Sequence, residues 1–311
     1  MVETRLIYPP DVTEKTRQGA FISFFDRTPP GIFCPHFHVL AHGNGCPFAC
    51  DYCFLLGTFR KLMDFRRPTL FTNYPKMQRE VERFLQRNDP CTLNMGELSD
   101  SLAYDPYTRI SQWIVPMFGH QQKHKLIFLT KSTNVDQLLA LRHNARTVIS
   151  FSINAPEIAS QFEKKAPSPA KRLAAAKKVA AAGYLVRLRI DPMIPVAKWH
   201  DEYAQLVEMI ADAGVFVERF TLGTLRFYPA TKAFAGFWGR DTSVFDYGSC
   251  VDGSDNRRRV PHALRMEMYC RTIEILWDAF PNVPVGLCKE TVALRDELGF
   301  GERDSQCNCT L

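Results

Sequence analysis

Between residues 37 and 225, six short apolar runs alternate with longer helix-like ones, and that alternation admits very few folds. The short runs are FHVLAH (37–42), CTLNMG (91–96), KLIFLT (125–130), TVISFSI (147–153), YLVRLRI (184–190) and ERFTLGTL (218–225). Their length and their β-branched and aromatic content read as strands. Helix candidates lie between them: YPKMQREVERFLQR (74–87), 106–118, VDQLLALRHN (135–144), PAKRLAAAKKVAAAG (169–183) and 201–213. The first has apolar residues at helical spacing. The fourth is rich in Ala, Lys and Arg and ends in Gly183, as a helix with a glycine C-cap does. Strands that alternate with helices pair in parallel through right-handed crossovers. The predicted fold is therefore α/β, a partial (β/α)6 barrel, which gathers functional groups at the C-terminal ends of its strands.

Three regions flank or interrupt this body. Residues 1–33 form a lead-in, the barrel covers 34–287, and 288–311 form a cysteine-bearing tail. Within the barrel, 229–261 carries Gly, Ser and Asp punctuation with no clear period and reads as a long inserted loop. A helix at 263–280 and the short run VPVGL (283–287) close the body.

The chain has 311 residues, 46% hydrophobic and 23% charged, which is ordinary for a soluble globular protein. No apolar run approaches the roughly 20 residues that cross a bilayer, and the N-terminus lacks a signal peptide's apolar stretch. A cytoplasmic location and no membrane partner are the expectation. The formal charge of +6 leans toward a polyanionic partner such as nucleic acid.

Ten cysteines in such a chain point to metal binding or catalysis more than to disulfides. Six are clustered: Cys46, Cys50 and Cys53 in CPFACDYC, and Cys288, Cys307 and Cys309 in the tail. The first spacing suits three sulfurs on three irons of one [4Fe-4S] cubane, with the fourth iron left open. Zinc prefers paired cysteine motifs or cysteines with histidines. His36, His38 and His42 lie upstream and offer that alternative, although strand alternation accounts for them more simply.

The cluster spacing, with Tyr52 before its last cysteine and a strand just upstream, resembles the radical S-adenosylmethionine (SAM) superfamily. The resemblance implies that an open iron chelates SAM and that reductive cleavage yields a 5′-deoxyadenosyl radical. Met95-Gly96-Glu97 stands where the superfamily carries a GGE-like stretch that holds the SAM amino group. Gly96 then lets the backbone approach the ligand and Glu97 accepts from its ammonium.

Further stretches are similar to the spore photoproduct lyase family of DNA repair enzymes: FLTKS (128–132), LLALRHNARTVISFSIN (138–154), RLAAAKKVAAAGY (172–184), DPMI (191–194) and LRFYPATK (225–232). That likeness implies removal of hydrogen from C6 of a 5-thyminyl-5,6-dihydrothymine lesion, whose crosslink then fragments to two thymines. It also implies a DNA partner and a low-potential reductant of the flavodoxin or ferredoxin type. By motif position, Ser99, Asp100, Lys131 and Ser152 would line the SAM site and Arg226 would meet substrate phosphate.

Two positions depart from the family pattern. Glu97 aligns with the cysteine that returns hydrogen to the product radical, and a carboxylate O–H bond is too strong for that role. Phe71 stands where a phenolic tyrosine is expected, leaving Tyr74 or Tyr104 for a hydrogen relay. Cys307 and Cys309 are the other hydrogen-donor candidates if the tail folds back. The tail thiols also offer a second metal site, an auxiliary Fe–S cluster or zinc, with Cys34, Cys91 or an exogenous fourth ligand. In the inserted loop, aromatics such as Trp238 beside Arg240 and Arg257-Arg258-Arg259 suit base stacking and phosphate contact. The leading expectation is radical repair of a thymine photolesion. The alternatives are radical modification of another substrate and a non-catalytic, metal-stabilised nucleic-acid-binding protein.

Overall fold

A computed structural model of the chain describes residues 11–59, 67–301 and 306–311. Eight strands form the main sheet: β1 (Ile22–Phe25), β2 (Phe37–Leu40), β3 (Thr92–Met95), β4 (Lys125–Thr130), β5 (Thr147–Ser152), β6 (Leu185–Met193), β7 (Arg219–Thr224) and β8 (Val285–Leu287). Their spatial order follows the chain from β1 to β8. Strands β2 to β8 pair in parallel, and β1 joins β2 antiparallel. The sheet is open, with β1 and β8 at its edges. All six predicted strands are present. The run at 283–287 supplies a further parallel strand, and the lead-in supplies the antiparallel edge.

Helices Tyr74–Leu85, Pro169–Ala181, Trp199–Ala213 and His262–Ala279 match the predicted segments. Pro169–Ala181 starts where the Ser168 hydroxyl accepts from the Lys171 amide, and it stops before Gly183 at φ +87°. The segment predicted at 106–118 is split. Arg109 turns left-handed at φ +50°, and Asp105 accepts the backbone amide and hydroxyl of Ser111, which starts Ile110–Gly119 afresh. Among the described residues no helix is long and apolar enough to cross a membrane.

Two expectations are corrected. Residues 135–144 form consecutive turns, not a helix. Only Val135 and Leu138 are buried there, and the Asn134 side chain is tied to the carbonyls of Leu102 and Ala103. Asn144 and Ala145 at positive φ then lead into β5. The segment 229–261 is folded, not a structureless loop. It contains helix Pro229–Phe237, 3-10 turns over Thr242–Ser249, and the antiparallel strands Val251–Asp252 and Arg258–Arg259, which extend from Arg226–Phe227. Two-residue strands carry no visible period. Phe227, Ala235, Val244, Phe245 and Val260 are buried and join the segment to the main core.

The end of the tail lies against one face of the sheet. Asn308 donates its amide to Thr221 Oγ1 at 2.8 Å, accepts from the same hydroxyl at 2.8 Å, and donates Nδ2 to Ser150 Oγ at 2.8 Å. Thr92 and Asn94 both donate to the Cys309 carbonyl, at 2.8 and 3.2 Å. Arg219 reaches the Cys307 carbonyl at 2.8 Å and Arg187 the Asn308 carbonyl at 3.2 Å. Gly286 permits this approach, since a Cβ there would stand 2.0 Å from the Gln306 carbonyl oxygen. The tail thus supplies acceptors to buried polar side chains that would otherwise lack them. Asn308→Ala removes the two buried side-chain hydrogen bonds to Thr221 and Ser150, keeps the backbone one, and is expected to cost about 1–3 kcal/mol. Urea unfolding with an unchanged m-value checks this, and a midpoint equal to wild type would show that the tail is not seated.

Candidate active site

The CPFACDYC loop leaves β2 and is pinned at three places. Gly45, at φ +82°, donates its amide to the Leu98 carbonyl at 2.8 Å. Asp51 donates its amide to the Phe162 carbonyl at 3.0 Å, and the Cys53 amide closes a turn on the Cys50 carbonyl at 3.2 Å. Ala49 at φ +53° makes the reversal between the first two cysteines. Cys46, Cys50 and Cys53 consequently line one cavity of about 260 Å³. Burial pushes all three thiols up, Cys50 to about 12, so a metal is what would hold them as thiolates. Among the described residues no three Cys, His, Asp or Glu side chains converge as ligands of a single ion. A cubane distributes its cysteines over separate irons, which is the demand this loop fits.

The ends of β3, β4 and β5 form the adjoining wall. Gly96 has φ +127°, and a Cβ on it would stand 2.6 Å from the Leu129 carbonyl oxygen, so only glycine fits. Glu97, Ser99, Lys131 and Ser152 line the same cavity. The Ser99 hydroxyl is buried with no hydrogen-bond partner among the described residues. An orphaned donor on a cavity wall is suited to a polar ligand such as SAM. Asp100 also lines the cavity, but its carboxylate is occupied. It accepts from the amides of Leu102, Ala103 and Lys131 and from Thr130 Oγ1, all within 3.0 Å. Asp100 therefore clamps the β3 and β4 ends together.

Beneath the loop lies a charged hub that sequence reasoning missed. Glu163 pairs with Arg172, accepts from the Tyr52 hydroxyl, and lies 3.7 Å from Lys131 Nζ. Lys131 donates to Ser152 Oγ at 2.8 Å, and Arg172 Nη1 donates to the Ser152 carbonyl at 3.0 Å. Burial alone would raise the Glu163 carboxyl, but Lys131 and Arg172 outweigh it and hold the group below its ordinary range. Burial likewise opposes the Lys131 charge, and Glu163 with Cys50 more than restores it. Nothing in QFEKK marks one acid as a buried hub; Glu163 is found only when helix Pro156–Phe162 is docked under the loop.

A second missed group faces the cavity from β6. Arg189 and Asp191 alternate along YLVRLRID, a signal of inward-facing charge that the strand reading left unused. Arg226 lines the cavity but is already bound. Its two terminal nitrogens meet the Asp191 oxygens at 2.9 and 3.0 Å, and Nη2 lies 3.2 Å from Cys288 Sγ. Cys288, Cys307 and Cys309 line the cavity as well, so the structure brings both cysteine groups to one site.

Other predicted residues lie elsewhere. Tyr74 heads helix Tyr74–Leu85 and packs on the core, outside the cavity lining. Trp238 caps helix Pro229–Phe237 and rests edge-on to Phe237, and neither it nor Arg240 lines the cavity. From the folded insert it is Thr231 and Arg257 that line the cavity, together with Tyr228 just before it, and the Arg257 guanidinium lies 4.9 Å from the Tyr228 ring centroid. The Tyr228 hinge into the helix brings them there, a tertiary effect with no local period. Tyr104 packs beside Cys46 and Cys50 without lining the cavity. His36 is exposed, while His38 and His42 are buried away from it.

The hub makes a direct prediction. Glu163→Gln leaves Lys131 and Arg172 as uncompensated buried cations and is expected to cost about 3–5 kcal/mol. Because the folded-state carboxyl is depressed, its contribution is complete above the unfolded carboxylate range and fades as pH falls through the folded value. Denaturant titrations across pH should therefore show a shallower acid limb in the variant. Equal stability of variant and wild type at neutral pH would remove the hub.

The family model for spore photoproduct lyase matches residues 36–227. A spore photoproduct lyase of Clostridium acetobutylicum is 23% identical over 70% of this chain and 68% of its own length. That of Bacillus subtilis is 29% identical over 56% of this chain, and this chain spans about half of that relative's length. A solved spore photoproduct lyase complexed with dinucleoside spore photoproduct superposes with a TM-score of 0.75 at 22% identity, covering 89% of this chain and 81% of that one. A variant of spore photoproduct lyase with bound AdoMet and the same dinucleoside gives 0.69 at 23% identity over 79% and 74%. The β/α order, the loop cysteines after β2 and the match over residues 36–227 agree, and the chain belongs to the spore photoproduct lyase family.

Proposed function

We propose that this chain is a radical SAM enzyme that reverses a thymine photolesion of the spore photoproduct type in DNA. The observation that carries the reading is one cavity lined by Cys46, Cys50 and Cys53, by the Gly96 cradle with the orphaned Ser99 hydroxyl, and by Tyr228 and Arg257. With a [4Fe-4S] cluster and SAM bound, such a site supplies a carbon radical that takes hydrogen from an unactivated C–H bond. The protein's own part is placement. Gly96 opens the backbone to the SAM amino group and Glu97 accepts from it. Lys131, its charge secured by Glu163, meets the SAM carboxylate, and Ser99 and Ser152 offer hydroxyls beside it. Phe227 and Tyr228 give an apolar wall for a thymine, and Arg257 offers a cation to lesion phosphate. The tail thiols Cys288, Cys307 and Cys309 add a second metal site. The net charge of +6 suits a DNA partner, and the chemistry calls for a flavodoxin- or ferredoxin-type reductant in the cytoplasm.

Glu97 on the cavity wall favours one other reading, radical modification of a different substrate, because the family thiol is absent at that position. An anaerobic assay separates the two. Iron-reconstituted protein, dithionite and SAM are mixed with an oligonucleotide carrying spore photoproduct and followed by mass spectrometry. Restored thymines together with 5′-deoxyadenosine are expected, and Cys50→Ala should reduce both to background. Deoxyadenosine without repair transfers the enzyme to another substrate. Absence of deoxyadenosine from protein with a full cluster rejects the radical enzyme and leaves a metal-stabilised binding protein.

A further inference from the structure

Four of the ten cysteines reach one wall of the cavity from three remote parts of the chain. Cys34 precedes β2, Cys288 follows β8, and Cys307 and Cys309 are carried in by the seated tail. None is in a disulfide. Cys34 packs with Cys307 and Cys309 against Phe37 and Val39. The Arg189 guanidinium donates to Cys288 Sγ at 3.4 Å and to Cys309 Sγ at 3.1 Å, so one planar group spans two of the sulfurs. Arg226 adds its own contact to Cys288 Sγ at 3.2 Å.

The charge balance at this wall is uneven. Arg189 and Arg226 are both cationic, and the carboxylate they share is Asp191, at 3.5 Å from Arg189 and 2.9 Å from Arg226. One positive charge is left facing sulfur, and burying it without an anion is costly. Glu97 lines the same cavity, and thiolates bound to a metal would add negative charge beside the guanidiniums. Several thiolates crowded into one buried wall repel one another unless a metal joins them.

We infer that Cys34, Cys288, Cys307 and Cys309 ligate a second metal centre, an auxiliary iron–sulfur cluster set into the cavity wall by the C-terminal tail. The inference deepens the reading of the tail given above and stands whatever the substrate of the SAM chemistry. Ligation replaces four S–H bonds by four S–Fe bonds, and four protons leave to solvent. The four cysteines line one cavity from three separate segments, a spread that suits ligands to several irons. Guanidinium N–H groups aimed at sulfur are what an anionic cluster accepts.

Iron and acid-labile sulfide per chain, measured on the anaerobically reconstituted full chain, test this. A loop cluster alone gives about four irons, whereas the second cluster raises the count to about six to eight, for a [2Fe-2S] or [4Fe-4S] type. Cys46→Ala/Cys50→Ala/Cys53→Ala should keep about two to four irons and a low-temperature EPR signal on reduction. Cys307→Ser/Cys309→Ser should fall to about four while retaining the loop cluster's signal. Failure of the triple loop variant to hold any iron, with about four in wild type, would overturn the centre and return these thiols to the hydrogen-donor role. One zinc per chain in place of the extra iron would overturn the cluster assignment. Loss of SAM cleavage tracks the loop cysteines instead, so this result and the radical SAM reading fail separately.

Discussion

A parallel sheet that carries Arg187, Arg189 and Arg219 on two adjacent strands cannot bury that face against apolar side chains. The register places Arg187 beside Arg219 and Arg189 beside Thr221, so these groups form one polar patch. Some acceptor must cover it, and the tail's backbone does so, with Asn308 satisfied on three sides. Glu218 closes the ion pair to Arg187 at the patch edge. The seat is therefore set by unmet hydrogen bonds more than by apolar contact. Residues far apart in sequence become neighbours because the sheet demands partners that the tail alone brings.

The catalytic side of the cavity is built on the same logic with opposite sign. Glu163 is a buried anion, and its three partners are Lys131 just after β4, the helix arginine Arg172 and the loop tyrosine Tyr52. Each partner belongs to a different element, so one carboxylate ties together the loop after β2, the end of β4 and helix Pro169–Ala181. Asp100 performs a comparable task at the β3 and β4 ends through four donors. Rigid placement of the cluster loop relative to Lys131 follows from these two acids. Neither has to touch a substrate for the site to depend on it.

Glu97 and the tail thiols Cys288, Cys307 and Cys309 line the same cavity. The arginines beside the tail thiols aim N–H donors at Cys288 and Cys309. The motif position at Glu97, with its bare carboxylate, offers none.

The six predicted strands, most helices and the cysteine loop were legible because each depends on local period or spacing. Strands β2 to β7 and the spacing of Cys46, Cys50 and Cys53 survive any change in long-range packing. The turn chain at 135–144 was misread because two buried residues at helical spacing mimic a helix that the short crossing does not form. The insert at 229–261 was misread because two-residue strands leave no period. What the amino-acid order by itself determined was the β/α alternation, the cluster loop and the Gly96 cradle, all of them consequences of neighbours along the chain. Only the tertiary structure decided that Glu163 is a buried hub, that Tyr228 and Arg257 rather than Trp238 and Arg240 face the cavity, and that Cys34 meets the tail cysteines. Those facts depend on which groups a sheet face leaves without partners, and partners from distant segments become known only when the chain has folded.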